Sequence, residues 1–210
     1  MNELDTNQLC SIIHIKPEYI ESILNLLSLK ENIDQYTYSL FPFYYDLLFH
    51  LDQYPNPIQI LTFFSLHPTI FYLFIDHYEL FLSIWIQKQI PMDTIMDVFM
   101  NLFPIVQSND DLLQIYKYIL SLLYYMMSTR NQKNVFVFQS VLRQLTSLLL
   151  TLNETVKQSI RCQLVPLFSS LLSLLNQSYS MSFLQLYMNY LKLLFFTEIE
   201  DDELIRIFMK

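Results

Sequence analysis

Residues 69–86 read TIFYLFIDHYELFLSIWI, apolar and aromatic throughout except for Asp76, His77 and Glu79 near the middle, with Ser and Thr at the edges. Three readings compete: a membrane span, a metal or acid/base site, and a packed helix. A membrane helix needs about 20 predominantly apolar residues, and carboxylates near its centre are costly. Asp76 and Glu79 lie three apart and share one helical face. Phe71, Phe74, Ile75, Tyr78, Leu82 and Trp85 form a broad apolar face beside them. The stretch therefore reads as one helix buried on most sides and wetted along a stripe. Metal ligands on a helix sit at i and i+3 or i+4, whereas His77 and Glu79 are two apart and diverge. Two carboxylates on an acidic helix are ordinarily solvated, so no metal site is expected here, even with His67 upstream.

The same spacing extends along the chain. Apolar residues recur at i, i+3, i+4 and i+7 in nearly every segment, the pattern of a helix face. Pro17 opens EYIESILNLLSL, Asp110 and Asp111 open LLQIYKYILSLLYYMM, and Asn153 with Glu154 opens a further helix through SLL. Pro suits the first turn because its missing N–H is not needed there, and acidic residues suit the positive end of the dipole. Polar segments DQYPNP, QKQIP, QSND, STRNQK, TLN and NQSYS separate them. About nine or ten helices joined by tight connections are expected. Only NVFVF at 134–138 looks locally β-like, and it is too short to override the helical pattern around it.

Composition agrees. The 210 residues are 53% hydrophobic, enough for a continuous core, and include no Gly at all. Phosphate-cradling loops, nucleophile elbows, dinucleotide fingerprints and type I′ hairpins depend on residues that accept positive φ. Their absence excludes those enzyme classes and disfavours a β fold. Cys10 and Cys162 are too few for a disulfide framework or zinc site, and suit a reducing, intracellular setting, cytoplasmic or nuclear. MNELDTNQLC shows no signal-peptide pattern. His14 and His50 stand alone among apolar neighbours. No catalytic residue, cofactor or metal is expected, and the protein is read as not an enzyme.

Similar helices joined by short loops imply antiparallel hairpins stacked side by side. LFP at 40–42, LFP at 102–104 and LVP at 164–166 recur every 62 residues, while helix starts at Pro57, Asp93 and Gln132 lie closer to a spacing of about 40. In this pattern residues 17–196 resemble an armadillo/HEAT-type α-solenoid. NPIQILTFFSLHPTIFYLFIDHYELFLSIWIQ looks like an armadillo second helix, a break and a third helix, and SMSFLQLYMNYLKLLFF like another second helix. The resemblance implies an all-α, right-handed stack of helical hairpins. The importin-α group of that family carries Trp/Asn ladders four residues apart. Here Asn101 and Asn189 fall at ladder positions, with Asp97 and Gln185 where Trp would stand, and Trp85 is followed by Gln89.

Charge is uneven. Residues 1–105 carry 3 basic and 12 acidic side chains, and residues 106–210 carry 9 and 8, so the halves stand near −9 and +1. An acidic half repels nucleic acid and suits a basic protein partner. Arg130, Lys133, Arg143, Lys157 and Arg161 form a basic run, with Lys157 and Arg161 at i, i+4, which adjacent helices could gather into a patch for an acidic peptide or a polyanion. The tail EIEDDELIRIFMK reads as an acidic helix start followed by an amphipathic turn that docks on a partner or a second copy.

The expected organisation is a single helical-repeat domain over 1–210, with 1–16 as an N-terminal cap and 197–210 as an acidic C-terminal helix. The expected work is protein–protein interaction as a scaffold or adaptor subunit. Trp85, Asn101, Asn189, Arg130, Lys133, Arg143, Lys157 and Arg161 are the candidate partner-binding residues. A divergent importin-α-like transport receptor for basic peptides and a nucleic-acid-associated subunit are the alternatives. A protein partner is favoured over nucleic acid, no membrane span is expected, and self-association is left open.

Overall fold

The computed structural model describes residues 16–29, 38–129, 132–178, 181–195 and 206. Apart from Lys16 and Arg206, the expected cap at 1–16 and helix at 197–210 lie outside the described residues. The protein is all-helical, with ten α-helices and no strand among the described residues. Contacts divide the chain into two compact units, Met1–Ile105 and Val106–Lys210.

The first unit contains α1 (Ile20–Ser28), α2 (Phe41–Phe49), α3 (Pro57–Leu66), α4 (Pro68–Tyr72), α5 (Tyr78–Gln87) and α6 (Met92–Met100). In a chain without Gly, proline supplies the punctuation. Pro42, Pro57 and Pro68 occupy the first turns of α2, α3 and α4, and Pro91 is the N-cap of α6. Pro68 also ends α3. Its ring disfavours the helical region for the preceding residue, and His67 sits at φ −122°, ψ 64°.

The stretch 69–86 is not one helix. It is α4, a turn at Leu73 and Phe74, a 3-10 turn at Ile75–His77, and α5. Amides of Leu73, Phe74 and His77 bond three residues back, to Ile70, Phe71 and Phe74. The overwinding leaves the apolar register intact: Phe71, Phe74, Tyr78, Phe81 and Trp85, spaced 3, 4, 3 and 4, are all fully buried. A break among buried residues must still satisfy its backbone groups. The Tyr78 hydroxyl does part of this, donating to the Phe71 carbonyl at 3.0 Å.

At the end of α5 the chain needs a left-handed residue and has no Gly to provide it. Gln89 adopts φ 59°, the one positive-φ residue among those described. The Ile90 amide donates to the Trp85 carbonyl at 2.9 Å and the Gln89 amide to Ile86 at 3.1 Å, a Schellman closure with buried Ile90 as its apolar contact. Left-handed backbone costs a non-Gly residue roughly 1–2 kcal/mol. Gln89→Gly is therefore expected to stabilise the protein by about 1 kcal/mol net of added unfolded-state freedom, read as a raised denaturant midpoint. An unchanged or lowered midpoint would show that the turn is not strained.

Ring and polar contacts set the order of these helices. Tyr44 of α2 meets Phe63 and Phe64 of α3 at 5.9 and 5.8 Å, the start of one helix against the end of the next. Tyr78 of α5 meets Phe99 of α6 at 5.0 Å in the same sense. Thus α2/α3 and α5/α6 are antiparallel hairpins. Between hairpins, contacts climb together: Phe41 on Phe74 at 4.5 Å, Tyr45 against Phe81 at 5.5 Å, and the Trp85 indole N–H donating to the Leu48 carbonyl at 2.8 Å. So α2 and α5 run in the same direction, and α3 packs against both α1 and α6. Three of the between-hairpin pairs, Tyr45–Phe81, Asp52–Lys88 and Ser65–Asn101, are each 36 positions apart. Phe71 is the hub of the core, with the rings of Phe64, Tyr78, Trp85 and Phe99 within 4.6–6.3 Å.

The 62-residue echo has no such meaning. Pro42 starts α2, Pro104 lies in a turn, and Pro166 lies inside a helix of the second unit.

The second unit contains α7 (Asn109–Ser128), α8 (Gln132–Thr151), α9 (Glu154–Ser178) and α10 (Met181–Phe195). NVFVF lies within α8, where its surroundings are helical. Ser108 caps α7 by accepting from the Asp111 amide at 3.4 Å, and Asn153 caps α9 by accepting from Val156 at 2.9 Å. α7 packs on α8 and α9, and α10 packs on α9 and α8. In the interior, the Tyr190 hydroxyl donates to the Tyr116 hydroxyl at 2.9 Å, and Tyr187 donates to the Phe168 carbonyl at 3.1 Å. Burial pushes all three phenols well above the ordinary tyrosine range.

Candidate functional site

Six of the eight candidate residues have described side chains. Trp85, expected at a partner surface, is wholly buried. The reason is double duty: its ring fills the aromatic core, and its N–H takes the carbonyl of Leu48 near the end of α2, one of the last four that a helix leaves without an internal donor. Asn101 follows α6 and donates its side-chain amide to Ser65 Oγ at 2.7 Å and to the Ser65 carbonyl at 3.2 Å. It ties α6 to α3. Asn189 is exposed on α10 and accepts from Gln185 at 3.2 Å.

Three of the five residues of the basic run have described side chains, and these differ in exposure. Arg130 lies outside the described residues, and Lys133 lies in α8 with its side chain likewise outside them. Arg143 is exposed on α8, and Lys157 is half-buried on α9. Arg161 turns inward. Its side chain is 13% exposed, its Nε donates to the Leu194 carbonyl at the end of α10, and its Nη1 bonds Glu154 and Gln158. A guanidinium offers several donors in a fixed fork, which lets this side chain close a helix end and pair at once. Charge-assisted hydrogen bonds contribute about 1.5–3 kcal/mol each, and less where a partner is solvated; Glu154 is 59% exposed. Arg161→Ala is expected to lower stability by roughly 2 kcal/mol. Arg143→Gln is expected to stay within about 0.5 kcal/mol. Parallel chemical denaturation of both variants checks this, and equal effects would contradict it.

Asp76 and Glu79 are exposed, and His77 packs edge-on against Tyr45 at 5.2 Å. His50 accepts from Gln53 at 3.0 Å. His67 Nε2 lies 3.4 Å from Ser28 Oγ, whose own proton goes to the Leu24 carbonyl, so the imidazole N–H donates. Cys162 is exposed, with the Gln158 amide 3.4 Å from its sulfur. Cys10 and His14 lie outside the described residues. Among the described residues, no group of His, Cys, Asp and Glu could hold a metal ion, and no helix is long and apolar enough to cross a membrane. A small open depression lies between the N-terminal ends of α1 and α3, lined by Glu18, Glu21, Tyr54 and Gln59.

One surface feature was not legible beforehand. On α3, Ile58, Thr62 and Leu66 form an exposed stripe at i, i+4 and i+8, with Leu66 70% and Ile58 47% accessible. Asp93 and Asp97 on α6, with Asn101 at its C-cap, form a second exposed stripe with the same spacing. The Asn101–Ser65 bonds join the C-terminal ends of the two helices. Partial burial, and then the neighbouring Asp93 charge, raises the Asp97 carboxyl above its ordinary range.

No family model, curated protein or solved structure matches this chain.

The two stripes draw on both features the sequence pointed to, an acidic first half and an excess of apolar side chains. The signal that could have found them is the pairing of a four-residue acidic repeat with a four-residue apolar repeat 35 positions earlier. It is visible only once α3 and α6 are known to be neighbours.

Proposed function

We propose that this chain is a non-catalytic protein-binding scaffold or adaptor subunit, built on the armadillo/HEAT plan of stacked helical hairpins. The observation that carries the reading is the recurrence at 36 residues in the first unit, where α2/α3 and α5/α6 are equivalent hairpins laid side by side. Stacked hairpins bury a shared core and leave their outer helix faces as a preformed surface. Such a surface loses little conformational entropy on binding. The second unit has the contact pattern of two further hairpins, α7/α8 and α9/α10. A reducing intracellular compartment fits the two cysteines.

The peptide-ladder and polyanion alternatives draw less support. Asn101 is engaged with Ser65, Trp85 is interior, and Arg161 closes α10. The test is affinity purification of the chain from its native extract at about 50 and about 300 mM salt, conditions that screen surface charge to different extents. One stoichiometric protein partner retained at both supports the scaffold. Recovery of nucleic acid alone, or of no stoichiometric protein at either salt, overturns it.

A further inference from the structure

The α3 and α6 stripes have a partner chemistry that the scaffold reading does not supply. We propose that they dock an amphipathic helix of a partner protein whose apolar residues are flanked by Lys and Arg. This rests on the protein-binding reading and adds the kind of segment bound.

Ile58, Thr62 and Leu66 follow one row of α3, and Asp93 and Asp97 one row of α6, each step being about one helical turn. Because α3 and α6 lie side by side with Ser65 bonded to Asn101, counting back one and two turns sets Asp97 level with Leu61, one residue from Thr62, and Asp93 level with Pro57, one residue from Ile58. An apolar row and an acidic row therefore run together. A helix laid along them would present its own i, i+4 rows in the same rhythm.

Charge chooses the occupant. Neither Asp93 nor Asp97 has an ion pair among the described residues. Lys88 is engaged with Asp52 at 3.0 Å, and Lys16 lies over the Tyr19 ring at 5.3 Å. Exposed Glu18, in the 3-10 turn before α1, and exposed Glu21 on α1 line a depression together with Gln59 of α3. A second copy placing this face against itself would oppose carboxylate to carboxylate, and a nucleic-acid backbone would be repelled outright. A basic amphipathic helix satisfies both rows.

The test uses a displayed library of random helix-forming peptides selected on the purified chain. Two variants confined to exposed positions serve as controls, Ile58→Ser with Leu66→Ser, and Asp93→Asn with Asp97→Asn, each checked for folding by circular dichroism. Selected peptides are expected to carry Leu, Ile or Phe at i, i+4 with flanking Lys and Arg, and to lose about tenfold or more in affinity on either variant. Peptides without basic enrichment, peptides that bind both variants equally, or no enrichment would overturn the proposal. So would a dimer of the purified chain that Ile58→Ser with Leu66→Ser dissociates, which would assign the face to a second copy. The affinity purification separates the two failures. A partner still retained when all four positions are substituted removes this face and leaves the scaffold standing, whereas no partner on the unaltered chain removes both.

Discussion

Trp85→Ala is expected to cost more than any other single substitution in the first unit, roughly 5 kcal/mol. Deleting a large buried aromatic side chain costs about 3–5 kcal/mol through lost transfer energy and the cavity it leaves. Here the ring stacks on Phe81 at 5.8 Å and lies 6.3 Å from Phe71, so the cavity would open at the hub of the core. The Leu48 carbonyl would also lose its 2.8 Å donor, and a buried acceptor left without one costs a further 1–3 kcal/mol or so. Domains of this size have only about 5–15 kcal/mol in total, so the first unit should be largely unfolded at 37 °C. Trp85→Phe separates the two contributions, because it keeps an aromatic ring and removes only the N–H and part of the volume. Its expected cost is about 2 kcal/mol. Urea titrations followed by far-UV circular dichroism measure both. Equal stability of the Ala and Phe variants would show that the ring at this position does not hold the core together.

Alkaline pH is expected to unfold the second unit steeply. Tyr116, Tyr187 and Tyr190 all ionise well above the ordinary tyrosine range, chiefly because burial penalises the phenolate, with their mutual charge repulsion adding for Tyr187 and Tyr190. The folded state holds these protons after the unfolded chain has released them. Stability is therefore fully present below about pH 10 and falls as pH rises past the unfolded tyrosine value toward the raised folded one. Each phenol contributes about 1.4 kcal/mol per pH unit in that window, so three together remove roughly 4 kcal/mol per unit. Absorbance near 295 nm should show three tyrosinates appearing together with loss of helix, on top of the gradual ionisation of exposed tyrosines. Replacing all three by Phe should shift the helical transition to higher pH. A transition that stayed put would show that these phenols do not control it.

Much of the fold could be read from local chemistry. Periodicity and the absence of Gly settled helices throughout. Pro57 marked one start, and Asn153 opened the helix it caps, because capping and proline sterics act within a few residues of the chain. The stretch 69–86 was half legible. Five of the six residues read as its apolar face, Phe71, Phe74, Tyr78, Leu82 and Trp85, are buried, whereas Ile75 is half-buried, fully buried Phe81 was not named, and the break was not read. No Pro or Gly marks positions 73–77, and the Tyr78 hydroxyl that supports the break bonds seven residues back.

The candidate surface was illegible for a different reason. An Ile or Leu at helical spacing reads as core whichever way it points, so Ile58 and Leu66 could not be distinguished from Ile60 and Leu61. Conversely Trp85, Asn101 and Arg161 carry groups common at binding surfaces. Each is instead used on a backbone carbonyl from elsewhere in the chain, those of Leu48, Ser65 and Leu194. By itself the amino-acid sequence determined that this protein is helical, where most helices begin and end, and that its first half is acidic. The tertiary structure alone decided which helices are neighbours and which polar side chains bond helix-terminal carbonyls. The physical reason is that caps and periodicity depend on neighbours a few positions away, whereas the partner of a helix-terminal carbonyl is chosen by packing across dozens of residues.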